Sequence, residues 1–258
     1  MKRTFFCAAL LTAMLCGMAV SKTAIQILNE LPRTGNYLLS QIPDRLRAGG
    51  SVWYVNSEST NSQDIDRNDG VHGTTMDTPF STIDFAISCC TASKGDTIIV
   101  APTHADANGF HVDVAGVWII GQGSGQLTGS ASLATTKEDL VRISADDCMV
   151  QNLRIIDANV IGTVATIMKV DGDDCVLRGL SVEQGGAAGD ANGTTGITIG
   201  VADGDADRLL IEDCDIYLPD ATTWAAGISF AKDMTGVIIR NTRVRGDFSE
   251  AAINIPTA

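Results

Sequence analysis

One short pattern, written five times from Ile119 onward, constrains the fold more than any other feature. The copies are Ile119–Gly123 (IIGQG), Val150–Ile155 (VQNLRI), Leu177–Val182 (LRGLSV), Ile211–Ile216 (IEDCDI) and Ile239–Val244 (IRNTRV). Their first residues lie 31, 27, 34 and 28 residues apart. The third position holds Gly121, Asn152, Gly179, Asp213 and Asn241, residue types that tolerate a left-handed or turn backbone. Apolar residues flank it at alternate positions, the period of a strand with one buried face. A strand, a tight bend and a second strand, repeated about every thirty residues, describe one rung of a stacked solenoid. The pattern predicts an all-β chain, a right-handed parallel β-helix.

The remaining chain divides into three stretches. Residues 1–21 resemble a signal peptide: Lys2 and Arg3 precede the apolar run Thr4–Val20, and Ala19, Val20 and Ser21 offer small residues at a cleavage spacing. A buried hydrophobic segment is the alternative. Residues 22–50 predict a helical arm, with Ala24, Ile27, Leu28 and Leu31 on one face and Pro32 as terminator. Residues 51–258 hold the β-helix. It opens with the strand Ser51–Asn56 and a short capping helix, with Ser81 as N-cap and Phe80, Ile83, Ile87 and Cys90 as its apolar face. Such a helix protects the open edge of the first rung. The final strand Ala251–Ile255 implies a further edge to be covered, by trimerisation or by docking.

The formal charge of −13 opposes a polyanionic partner, and no basic patch suggests nucleic-acid binding. Seven cysteines are present; Cys7 and Cys16 fall in the leader-like stretch. Cys148 and Cys175 share an inward column with Leu209 and Val237, so they are expected as small buried hydrophobes. Adjacent rungs lie about 4.8 Å apart, within disulfide reach.

Further columns follow from the repeat. Leu153, Leu180, Cys214 and Thr242 point inward, as do Ile155, Val182, Ile216 and Val244. Outward, opposite charges meet on consecutive rungs at Arg178–Glu212, Glu212–Arg240 and Asp215–Arg243. The most distinctive cluster is acidic. Asp146, Asp173 and Asp207 each fall four residues before a rung's first position; Asp147 and Asp174 follow two of them, and Asp203 and Asp205 precede the third. Stacked, these carboxylates form a strip about 10 Å long. Crowding of that kind raises carboxylate pKa values or recruits a cation. Oxygen ligands alone suit calcium, so Asp146, Asp147, Asp173, Asp174 and Asp207 are candidate metal ligands, and Asp146, Asp173 and Asp207 are candidate catalytic acids. Solvated turn aspartates are the plain alternative. Asp64, Asp66, Asn68 and Asp69 alternate like a calcium loop, without the EF-hand glycine and glutamate spacing. Trp224 is the candidate for stacking on a sugar face. His72, His104 and His111 have no nucleophile or metal partner at motif spacing, and a turn or surface role is expected.

The series Trp53-Tyr54-Val55, Asn68-Asp69-Gly70, Pro79-Phe80-Ser81-Thr82-Ile83, Ala86-Ile87 and Gly95-Asp96-Thr97-Ile98-Ile99-Val100 resembles the opening of pectate-lyase-like β-helix proteins. Val112–Gly121 also resembles β-helix proteins encoded beside the structural genes of tailed phages. The first resemblance implies the fold; the superfamily includes lyases, hydrolases, tailspikes and inert spikes. A lyase would pair a calcium-binding acidic strip with an arginine or lysine base, for which Arg142 and Arg208 are the nearest residues. The Gly-His-Gly and Asn-x-Asp signatures of the pectin-hydrolase branch are missing. The resulting expectation is a non-enzymatic structural or attachment protein of a tailed-phage virion. It would need no cofactor, with calcium as a candidate. Its partners would be copies of itself, virion proteins or a cell-surface glycan. The alternatives are a secreted polysaccharide lyase or glycoside hydrolase, and a bacterial surface adhesin that binds glycans.

Overall fold

A computed structural model describes residues 50–65, 71–106, 109–122, 126–129, 139–157, 166–184, 195–200, 206–218, 225–232 and 234–255. The leader-like stretch, the helical arm, Asp66–Gly70, Asp203, Asp205 and Trp224 lie outside these residues. The chain winds as a right-handed parallel β-helix, the hand expected of parallel crossovers. Its strands form three parallel sheets of seven, six and six strands. The first sheet runs from Val52–Val55 through Thr97–Val100, Trp118–Gly121, Met149–Gln151, Val176–Arg178 and Leu210–Glu212 to Ile238–Arg240. The second begins at Ala105–Asp106 and ends at Arg243–Gly246; the third begins at Phe110–Val112 and ends at Ala251–Asn254.

Register follows the repeat. Trp53, Ile98, Ile119, Val150, Leu177, Ile211 and Ile239 are successive partners in one column. All but the last are buried. Ile155, Val182, Ile216 and Val244 form a second column. Together these residues make a single aliphatic core. Burying each such side chain stabilises the fold by roughly 1.5–3 kcal/mol.

The bends are stacked as strictly as the strands. Asn152, Gly179, Asp213 and Asn241 have φ of 55°, 59°, 55° and 50°, the left-handed region that asparagine, aspartate and glycine enter most readily. Each of the first three donates its N–H to a carbonyl one rung on, at 3.0, 3.0 and 3.2 Å, from Arg178, Glu212 and Arg240. Gly121 differs: its φ is not left-handed, and glycine is required there because a Cβ would collide with the Asn152 carbonyl oxygen. A second left-handed column precedes the first sheet, at Gly95, Gly116, Asp147, Asp174, Arg208 and Gly236.

The first rung is closed by two devices. The strand Val52–Val55 is bonded along its edge by the segment from Gly73 to Phe80: Tyr54 N–H donates to Gly73 O and Asn56 N–H to Phe80 O, at 2.8 and 2.9 Å. The helix Ile83–Ser88 covers the third sheet, where Asp84 accepts the His111 backbone N–H at 3.1 Å. Its N-cap is Thr82 rather than Ser81: the Thr82 hydroxyl accepts from Phe85 N–H at 3.2 Å, and Ser81 N–H is taken by Asp64 at 2.8 Å. Asp64 also accepts from the Thr82 hydroxyl at 2.8 Å. One carboxylate of the calcium-like loop therefore braces the helix cap.

On the outer faces, Glu212 pairs with Arg178 at 2.9 Å and Arg240 at 2.7 Å, as the register demands. Asp215 does not pair with Arg243, its neighbour in register. It takes Arg245, two residues further, at 2.8 Å. Arg245 also lies over the Tyr217 ring, 4.6 Å from its centroid, and that contact draws the guanidinium to the diagonal. Arg154 reaches the same way to Glu183, at 2.6 Å. These pairs, half-exposed on the outer faces, contribute about 0.2–1 kcal/mol each and act mainly on register.

Two outcomes follow. Asn152→Val places a β-branched residue at left-handed φ and lowers unfolding free energy by about 1–2 kcal/mol, whereas Asn152→Gly stays within about 1 kcal/mol of the parent; urea denaturation measures both. His104 is 1% exposed, and its Nδ1 accepts the Ser57 N–H at 3.1 Å. Burial pushes the imidazole down to about 4 from 6.5. Its folded pKa is depressed, so its contribution is intact above the unfolded value and is lost as pH falls from about 6.5 to about 4, by about 3 kcal/mol in all. His104→Asn, which keeps an acceptor for Ser57, should show a shallower decline than the parent over that window.

Candidate functional site

Along the described part of the acidic strip, the carboxylates of Asp146, Asp173, Asp174 and Asp207 are hydrogen-bonded. Asp146 Oδ1 accepts the Asp173 backbone N–H at 2.9 Å. Asp173 Oδ1 accepts the Asp207 N–H at 2.9 Å, and Asp207 Oδ1 accepts the Thr235 N–H at 2.7 Å. The backbone runs a matching ladder: Asp147 N–H donates to Asp173 O, and Asp174 N–H to Asp207 O, both at 2.9 Å. Aspartate recurs at this corner because its short side chain can cap the next rung while the following residue turns left-handed. Arg208, at φ 58°, is the bulky member of that turning column. Its guanidinium grips Asp174 through two bonds of 2.7 Å and reaches Asp173 at 3.4 Å.

The chain matches no protein-family profile, no curated protein and no solved structure.

The chemistry of the corner follows from its protonation. Crowded carboxylates are expected to rise in pKa; Asp174 and Asp207 move the other way. The Arg208 guanidinium holds Asp174 below the usual carboxylate range, and Thr235, through its backbone N–H and then its hydroxyl, does the same for Asp207. Hydrogen bonds to the charged form outweigh repulsion. A lowered pKa suits a permanent anion and not a general acid. Arg208 is held protonated by the Asp174 carboxylate, which opposes a role as base. Arg142 is on the third sheet and contacts Asp171 at 3.4 Å. Among the described residues, no group of three or more His, Cys, Asp or Glu side chains is arranged to hold a metal ion.

Cys89, Cys90, Cys148, Cys175 and Cys214 are buried thiols. The Cys148 thiol donates to the carbonyls of Val114 and Asp146, at 3.4 and 3.3 Å, and the Cys175 thiol to those of Ala145 and Asp173, both at 3.4 Å. Trp53 packs against Phe80, ring centroids 5.6 Å apart.

His104, buried at 1% exposure, departs from the expected turn or surface role, whereas His111 lies on the outer face of its strand. His111 has a hydroxyl partner, with Nε2 2.7 Å from Ser144 Oγ. No motif spacing could reveal it, because the partner is 33 residues away on the next rung. The signal was available only in register, where His111 pairs with Arg142 and Ser144 follows two residues later.

For the corner ladder, Asp173→Ala should lower unfolding free energy by about 1 kcal/mol, and Asp173→Asn by less, since the amide oxygen still accepts from Asp207. Equal losses in urea denaturation would mean that the charge facing Arg208 matters and the acceptor does not.

Proposed function

We propose that this protein is a non-catalytic β-helical rod, a structural or attachment component of a larger assembly, with a tailed-phage virion as the setting that the Val112–Gly121 resemblance suggests. The observation that carries this reading is the use of Asp146, Asp173 and Asp207 as acceptors for backbone N–H groups of the next rung. The residues that look most like chemistry in the sequence hold coils together. The grip of Arg208 on Asp174 points the same way.

Among the described residues, Ile238, Ile253 and Ile255 are exposed apolar side chains. Self-association into a homo-oligomer, with a trimer favoured, is the form proposed, and light scattering on the purified chain measures it.

The direct test is incubation with polyuronates and glycans, with and without calcium. No new unsaturated or reducing ends are expected. Product formation that disappears in Asp173→Ala would replace the rod with a polysaccharide lyase or hydrolase. Mass spectrometry of purified virions against culture supernatant separates the virion setting from a secreted one.

A further inference from the structure

The outer face of the first sheet carries a file with no charged member. Val52, Thr97, Trp118, Met149, Val176, Leu210 and Ile238 are successive partners across its seven strands. Each precedes a residue of the inward column, so the file points away from the core. Met149 is buried and yet lies outside the core cluster, as do Trp118, Val176, Leu210 and Ile238. Val52, Trp118, Val176 and Leu210 are half-exposed, and Ile238 is 54% exposed. On the other two sheets the outward files carry charge: Arg154, Ser181, Asp215 and Arg243 on the second, His111, Arg142 and Lys169 on the third. A parallel sheet with apolar side chains on both faces is built to be covered on both.

The residues on either side of the file identify what covers it. Two positions before its members lies the left-handed corner, and two positions after them a second outward file. In the early rungs the corner is small and the second file large: Gly95 with Ile99, Gly116 with Ile120. In the later rungs the two sides carry opposite charges, and the order alternates: Asp174 with Arg178, then Arg208 with Glu212. Rotation about an axis parallel to the coil exchanges the two sides and keeps the height. A second copy so placed sets Asp174 against Arg178, Arg208 against Glu212, and each corner glycine against an isoleucine. The match is the same for two copies or three around that axis. An antiparallel neighbour sets corner against corner instead. It can oppose Asp174 to Arg208 only by sliding until the first three rungs lose their partners. Arg208 and Asp174 already pair within the chain, but their side chains are 55% and 44% exposed, open to a further contact. Around the file Asp147, Asp174 and Glu212 balance Arg178, Arg208 and Arg240. This face therefore adds no net charge to the repulsion between two chains of −13.

We propose that a second copy of this chain docks on the file, side by side and parallel, with equal rungs at equal height. The proposal rests on the self-association reading, for which it supplies the surface and the orientation. Two measurements on the full chain test it. Leu210→Glu puts an unpaired charge into the file and should raise the dissociation constant at least about tenfold in sedimentation equilibrium. Tyr217→Glu, at an exposed position of the second sheet, should leave it unchanged, with circular dichroism confirming the fold of both. Ile238→Cys should give a disulfide-linked dimer on treatment with diamide, which takes up the two thiol hydrogens; the parent and Tyr217→Cys should not. A parallel neighbour at equal height brings position 238 to position 238, and an antiparallel one does not. The cross-link alone decides if Leu210→Glu fails to fold. An oligomer indifferent to Leu210→Glu, an equal loss in Tyr217→Glu, or an oligomer in which Ile238→Cys forms no cross-link would each overturn the proposal and leave self-association standing. A parent that stays monomeric overturns both.

Discussion

The structure depends on in-register hydrogen bonding between parallel strands of successive coils. Each coil closes on no core of its own; its apolar side chains are buried only when the coil above and the coil below are in place. The register therefore has to be held at the bends as well as along the strands, because a slip of one residue would turn every core side chain outward. Two columns of left-handed residues supply that constraint. One lies inside the repeated pattern at Asn152, Gly179, Asp213 and Asn241; the other lies ahead of it at Gly95, Gly116, Asp147, Asp174, Arg208 and Gly236. Backbone N–H groups in both columns bond to the next rung.

This constraint also explains why an acidic strip can be structural. A stack of carboxylates about 4.8 Å apart would repel itself if its only neighbours were water and one another. Here each aspartate of the ladder meets a backbone N–H, and Arg208 adds a cation at the most crowded point. The dipoles and the guanidinium convert the repulsion into attraction between rungs. The outer ion pairs, Arg178–Glu212–Arg240 and the diagonal pairs at Arg154 and Arg245, repeat the logic in a weaker, solvent-screened form.

The fold was legible because a solenoid writes its period into the sequence. Val150, Leu177, Ile211 and Ile239 could be aligned by counting residues, and the column they form extends back to Trp53. The positions of Asp146, Asp173 and Asp207 could be read the same way. Their role could not, since the donors are backbone N–H groups that leave no mark in the sequence. Partner choice on the outside was also hidden: Asp215 turns to Arg245 because Tyr217 offers a ring face, and side-chain reach of that kind is decided after the backbone is set. The pairing of His111 with Ser144 needed the register of a short strand, Phe110–Val112, that lies outside the five repeated copies.

Spacing along the axis is the central claim, and spin-label distances test it most directly. Tyr54, Ile99, Ile120, Gln151, Arg178, Glu212 and Arg240 form one outward file of successive partners on the first sheet. Labels at Tyr54 and Arg178 are four rungs apart and should lie about 19 Å from each other; labels at Tyr54 and Arg240 are six apart and should lie about 29 Å from each other. Distances that grow in proportion to rung number agree with the stacked coil. Distances that fail to increase from the first pair to the second would contradict it.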